Sequence, residues 1–260
     1  MLLAIDIGNS NISIGVFDGE TLRLRARLSA VTERSADEYT VLLYDLLRIN
    51  AVDQRAIGGC MLASVVPALT GLVETAVRKL TGVTPLRVGP GTRTGFRIQI
   101  DDPSQLGADL VADTAAALSL YGGPLILVDA GTVTTIAAVN SEGTYLGGCI
   151  LPGLYGSAEL LKTSTALLPS IALQPMGENF LGKNSADAMR YGLLGGTAMM
   201  VDGFIEQYLS LPKMEGAKVV ATGGSMELAT ASCRHRIIRD ADLTLKGLRR
   251  LYQLNTVRRM

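Results

Sequence analysis

Residues 125–139, "LILVDAGTVTTIAAV", decide how the chain reads. They form one apolar run broken by Asp-Ala-Gly-Thr, and a buried strand gains nothing from a carboxylate set in its middle. Residues 2–17, "LLAIDIGNSNISIGVF", have the same rhythm. Asp6 and Asp129 are 129 − 6 = 123 positions apart, and at that offset Gly8 meets Gly131, Val16 meets Val139 and Thr21 meets Thr144. The pattern predicts an internal duplication, with each half opening on a β-hairpin around Asp-x-Gly.

The chemistry of that tip points to phosphate. Glycine lets the backbone turn and lets a bulky anion approach. Asn9, Ser10 and Asn11 in one copy, and Thr132 and Thr134 in the other, supply N–H and O–H donors. A carboxylate beside them repels phosphate unless a cation sits between, so Asp6 and Asp129 imply Mg²⁺ or another metal ion. One copy alone reads equally well as a turn-stabilising aspartate. Two copies in apolar strands predict a nucleotide cleft between the halves.

Outward from these hairpins the elements alternate. Strands are expected at 2–7, 12–17 and 22–28, and then a helix capped by Ser35 with Glu38 three positions on. "AIGGCMLASVV" reads as a buried strand ended by Pro67, and the run after it as a helix closing at Gly82. "TPLRV" is another strand. Phe96, Ile98 and Ile100 alternate with polar residues, which predicts an extended stretch. A helix follows, with Ser104 as N-cap and Gly122-Gly123 as its stop. The last hundred residues read as mostly helical apart from the strand "AKVVATGG". The expected halves are 1–116 and 117–260.

The 260 residues are 48% hydrophobic and 18% charged, with 24 basic and 24 acidic side chains. That balance argues against nucleic-acid binding. Cys60, Cys149 and Cys233 are too widely spaced for a zinc site or a disulfide framework. Neither a signal peptide nor an apolar membrane span is apparent, so a cytoplasmic protein is expected.

Other motifs carry weaker signals. "ATGG", 221–224, could let a nucleoside approach the backbone at Gly223, with Thr222 as donor, or be an ordinary strand-to-helix turn. Asp109 and Asp113, four apart, share a helix face. They are either a general base with a neighbour or two solvated acids near a helix start. "GENFLGKN", 177–184, approximates a P-loop but ends in Asn184, which lacks the magnesium-binding hydroxyl. "GPGTRTG" lacks dinucleotide-fingerprint spacing. His235, the only histidine, reads as a surface residue.

Taken in order, "DIGNSN", "ASVVP", "GPGTRTG", "GAD", "DAGTVTT", "GGCILPG", "GKNSADAM", "ATGG" and "DLTLKGL" resemble the type III pantothenate kinases. That family lies in the acetate-and-sugar-kinase/Hsp70/actin superfamily. The resemblance runs from residue 6 to about 248. It implies an α/β, duplicated actin-like (ribonuclease H-like) ATPase fold with two domains around a nucleotide cleft. It also implies ATP-dependent phosphorylation of pantothenate at the start of coenzyme A synthesis, by a homodimer needing Mg²⁺ and K⁺ or NH₄⁺.

On this resemblance Asp6, Ile7, Gly8, Asn9, Ser10, Asn11, Ile12 and Ser13 form the first phosphate loop, Asp6 also serving as a metal site. Gly131, Thr132 and Gly223 contact ATP, and Asp129 holds the monovalent cation. Asp109 is the proton acceptor. Ile100, Gly107, Ala108, Leu110 and Ser185 line the pantothenate site. Two positions depart from the family pattern, Leu110 standing where it has arginine and Ile100 where it has tyrosine. Both fall on the acceptor side, with Arg93 and Arg97 as candidate substitutes. The alternatives are a kinase-fold regulatory or binding protein, or a kinase for another small hydroxy compound.

Overall fold

A computed structural model describes residues 1–175 and 180–256. The chain divides into two compact units. The first contains 1–95, 102–116 and the chain from 243 onward, and the second 96–101 and 117–242.

In the first unit β1 (Leu2–Ile7), β2 (Asn11–Asp18) and β3 (Thr21–Ser29) form an antiparallel meander. β4 (Gly59–Ser64) and β5 (Leu86–Arg87) continue the sheet in parallel on the other side of β1, giving the order β3-β2-β1-β4-β5. One face packs on α1 (Ala36–Ile49) and α2 (Pro67–Thr81). Ile5, Ile7, Ile14, Val16 and Leu62 meet Tyr39, Leu43 and Leu47 of α1 and Leu69 and Val73 of α2. The helix ends follow from sequence. Ser35 and Glu38 close a reciprocal capping box, and Pro67 stands at the first turn, where its missing N–H costs nothing. Gly82, at φ 74°, ends α2 in the left-handed region.

The other face carries α7 (Leu243–Thr256). Gly15 and Gly59 leave room there for Leu245 and Tyr252. α7 also crosses α3 (Ala108–Tyr121), whose residues from 117 count with the second unit. A Cβ at Gly247 would run into the Ala112 carbonyl, so glycine is needed at the crossing. Beside it Thr244 Oγ1 donates to Asp113 Oδ1 at 2.7 Å. Asp113 is only 1% exposed, so it is a buried anchor for α7 and not a solvated acid. The tail of the expected 117–260 half therefore packs on the first sheet, because its leucine face is completed there.

In the second unit β7 (Leu125–Ala130), β8 (Val133–Val139) and β9 (Thr144–Pro152) form a second meander. β10 (Lys218–Thr222) and β11 (Ile237–Arg239) run parallel beyond β7, and β6 (Arg97–Ile98) pairs with β9 at the outer edge. α5 (Ser185–Leu209) covers one face, with Val201 and Ile205 against Ile126, Val128 and Ile136. α4 (Leu154–Thr163) follows β9, and the short α6 (Met226–Ala229) follows β10.

The order β9-β8-β7-β10-β11 repeats β3-β2-β1-β4-β5. β1 maps onto β7, and β3 onto β9, at the 123-residue offset. The tip Gly131–Thr132 is one residue shorter than Gly8–Ser10, so β2 maps onto β8 one position earlier. Leu3 pairs with Val16 and Ile126 with Ala138, which makes Ala138, and not Val139, the counterpart of Val16. Both meanders carry a bulge at the matching place, Val16/Phe17 and Ala138/Val139. This is the duplicated actin-like ATPase fold.

Some local expectations change. Ser104 does not cap α3; it sits in a short turn capped by Asp102, and the helix starts after Gly107. Only Arg97 and Ile98 of the alternating stretch pair as a strand. No helix among the described residues is long and apolar enough to cross a membrane.

Gly247→Val should cost about 3 kcal/mol, because the added branch meets backbone that cannot move aside. A fall of several degrees in the melting temperature would register it.

Candidate active site

Asp6 is the penultimate residue of β1, half-buried between fully buried Ile5 and Ile7. Its neighbours across the sheet are Ser13 on β2 and Ala63 on β4. After it the chain turns through Gly8, Asn9 and Ser10, and the Gly8 N–H donates to the Asn11 carbonyl at 2.9 Å. Asn9, Ser10 and Asn11 are exposed, and Ile12 returns to the core. The loop thus projects polar groups at the carboxyl end of the central strand, where open α/β sheets bind ligands.

Asp109 belongs to the same end of the first sheet. The Val65 N–H, just past β4, donates to the Ile7 carbonyl at 3.0 Å. A Cβ at Gly107 would lie 3.9 Å from Val65 Cγ1 and against Asp109 Oδ1. Glycine here makes room for the carboxylate. Asp109 Oδ1 accepts the Leu110 N–H at 2.8 Å. Burial pushes its carboxyl above the ordinary value of 3.8, outweighing the backbone hydrogen bonds that oppose the shift. Ala108 and Leu110 flank it, both half-buried.

The second unit repeats the arrangement. Asp129 is the penultimate residue of β7, half-buried like Asp6, and opposes Thr135 on β8 and Thr222 on β10. Gly131 and Thr132 form the tip, Thr132 exposed. Gly223 has φ +95°, and a Cβ there would come 2.5 Å from Asp129 Oδ1 and from the Ala130 carbonyl. Ser225 fastens this turn to β7, its N–H and Oγ donating to the Ala130 carbonyl at 2.9 and 2.7 Å. Gly153, N-cap of α4, lies against the Gly131–Thr132 backbone. The sequence reading missed Ser225 and Gly153, because only the strand order shows which turn each one abuts.

The acceptor-side residues are spread along the chain. Ile100 lies beyond β6, 3.7 Å from where a Gly147 Cβ would be. Ser185 is exposed at the start of α5, whose N-cap is Asn184. Asn184 Oδ1 accepts the Asp187 N–H at 2.9 Å, an ordinary capping role. Residues 171–175 form no strand and 177–179 lie outside the described residues, so the P-loop resemblance gains no strand–loop–helix context. Arg93 is exposed in the "GPGTRTG" loop, its backbone paired with the Asn255 side chain. Arg97 lies near Glu142, at the β8–β9 turn and away from the Asp129 end of the second sheet.

His235 is not a plain surface residue. Its Nδ1 lies 2.8 Å from Oδ1 of Asp202, which is 2% exposed. Burial works to raise the Asp202 carboxyl, but the N–H groups of Arg234 and His235 and the imidazole together hold it below its usual range. Cys233 beside it is pushed up to about 12, chiefly by burial, so it is no nucleophile at neutral pH.

Among the described residues no group of three or more His, Cys, Asp or Glu side chains could hold a metal ion. Mg²⁺ is commonly held by one or two carboxylates together with water and phosphate oxygens. Asp6 and Asp129 supply hard oxygen donors of that kind.

The Asp109 shift has a consequence for stability. A carboxyl raised by burial opposes folding once ionised, so its favourable contribution is lost as pH rises through the folded-state value. Asp109→Asn should melt above the wild type at pH 7.5, the gap closing as pH falls to the ordinary 3.8. Thermal melts across pH check this, and a lower melting temperature at pH 7.5 would contradict it.

Comparison with known proteins identifies the family. The family model for type III pantothenate kinase matches residues 2–207. A type III pantothenate kinase of Roseiflexus sp. (strain RS-1) is 41% identical over 98% of this chain and 99% of its own length. Among solved structures, a Campylobacter jejuni protein provisionally named a Baf family transcriptional activator superposes with TM-score 0.62 at 20% identity, covering 97% of this chain and 98% of that one. A provisionally named 2-dehydro-3-deoxygalactonokinase of Sinorhizobium meliloti gives 0.60 at 13%, covering 100% and 98%. At such identities the two structures speak for the fold alone. On the family match and the full-length relative, this chain belongs to the type III pantothenate kinase family.

Proposed function

We propose that the chain transfers the terminal phosphoryl group of ATP to the primary hydroxyl of pantothenate, giving 4'-phosphopantothenate for coenzyme A synthesis. The observation that carries this reading is Asp109, a desolvated carboxylate at the strand end that also bears Asp6. Kinase chemistry needs positioning, neutralised phosphate charge and a carboxylate to take the acceptor's proton. Asp109, raised above the ordinary carboxylate value by burial and ordered by the Leu110 N–H, suits the last role.

The loop from Asp6 to Ser13 serves the phosphates of ATP, and so do Gly131 and Thr132, with Gly223 beside the nucleoside. Mg²⁺, entering with ATP, would neutralise the charge that develops on the phosphoryl oxygens; Asp6 would hold it, and Asp129 the monovalent cation K⁺ or NH₄⁺. Gly107, Ala108, Leu110, Ile100 and Ser185 line the acceptor site. The halves 1–116 and 117–260 are the two products of the duplication, and the working protein is a cytoplasmic homodimer.

Two apolar positions favour a second reading. Leu110 and Ile100 offer no charge or hydroxyl to an acidic acceptor. A regulatory kinase-fold protein, or a kinase for another small hydroxy compound, would not need them to.

Coupled ADP release with pantothenate, Mg²⁺ and K⁺ decides between these. Turnover should appear and fall at least about a hundredfold in Asp109→Asn, the scale of one general base. Leu110→Arg should lower the KM for pantothenate roughly tenfold by adding a charge-assisted contact. ATP binding without turnover in the wild type would favour the second reading.

A further inference from the structure

Strand register sets three polar side chains in one line across the first sheet. Asp6 opposes Ser13, and Ser13 opposes Arg27. Directly opposed residues on antiparallel strands share a face. The flanking Ala26 and Leu28 pack on the core, so Arg27 lies on the face away from it. α7 covers that second face around Gly15 and Gly59. The Asp6–Ser13–Arg27 row lies two residues beyond Gly15, towards the tip at Gly8–Ser10. Arg27 is exposed, and among the described residues it makes no hydrogen bond or ion pair.

The duplicated half shows what the fold itself requires at this place. Its matching row is Asp129, Thr135 and Ile150. Carboxylate and hydroxyl recur, but the third position is an isoleucine, 71% exposed. A sheet of the same topology forms with an aliphatic side chain there. The fold itself therefore does not require an arginine at this position.

The spacing suits a polyanion. Adjacent strands lie about 4.8 Å apart, so the Cα atoms of Asp6 and Arg27 are separated by roughly 10 Å. A metal-bound triphosphate on Asp6 fits within that span. A guanidinium at the far end, always charged and forked, matches phosphate oxygens two at a time.

We propose that Arg27 binds the polyphosphate of ATP, at the opposite end of the row from Asp6. The inference rests on the nucleotide reading above and adds a contact to it. The test titrates ATP with Mg²⁺ into the full-length protein by calorimetry. The variant is Arg27→Ile, the residue that the second sheet already tolerates, with Arg27→Lys beside it. Arg23→Ala, an exposed arginine of the same strand paired with Asp18, reports any general loss of positive charge.

Arg27→Ile should bind ATP at least tenfold more weakly, Arg27→Lys should recover part of the loss, and Arg23→Ala should stay within twofold. Inorganic tripolyphosphate should compete with ATP on the wild type and lose its potency on Arg27→Ile. ATP affinity within twofold of wild type in Arg27→Ile overturns the proposal, as does an equal loss in Arg23→Ala. A wild type that binds ATP but does not phosphorylate pantothenate refutes the acceptor assignment alone, and the titration still decides Arg27. A wild type that binds no ATP overturns both.

Discussion

A carboxylate one residue from the end of the central strand is the constraint on which each unit of this protein is built. Asp6 and Asp129 stand between fully buried neighbours, at a depth where an ionised group is costly unless something compensates it. Everything around them limits that cost without hiding the charge. The hairpin tips turn at once, the adjacent strand offers a hydroxyl, and Gly223 leaves its Cβ space to the Asp129 oxygen. A sheet selected for stability alone would place an aliphatic side chain there. Keeping a charge at this depth suits a place where a cation and its phosphates bind.

The two units solve that problem by the same topology with different details. A loop one residue shorter in the second hairpin shifts β8 by one position, and the next turn restores the offset before β9. The matching bulges show that the strands, and not the loops, were held fixed. Asp109 has no such copy in the arrangement described. Its environment comes from a helix that starts where Gly107 gives its carboxylate room beside Val65.

Much of this was legible in the chain because period and punctuation agree with the final structure. The Asp-x-Gly hairpins, the capping box at Ser35 and the proline start of α2 each announce a local geometry that packing then accepts. The duplication was legible through Asp6 and Asp129, although Val16 and Val139 align only by coincidence of loop length. What stayed hidden depends on long-range placement. Asp113 reads as a solvated acid until α7, 131 residues later, sets Thr244 against it. His235 reads as a surface residue until Asp202 is found beneath it. The row through Arg27 exists only once the strand register is known.

The placement of α7 bears on the order in which the protein can be built. The strands of the first sheet are synthesised before those of the second, yet one face of that first sheet is closed by residues 243–256. Until that segment emerges, the surface around Gly15 and Gly59 stays wet and the Asp113 carboxylate lacks the Thr244 hydroxyl. The first unit can therefore reach its final packing only after residues 243–256 have been synthesised. A nascent chain stalled before residue 243 would carry an unfinished first unit, however well its second sheet had formed.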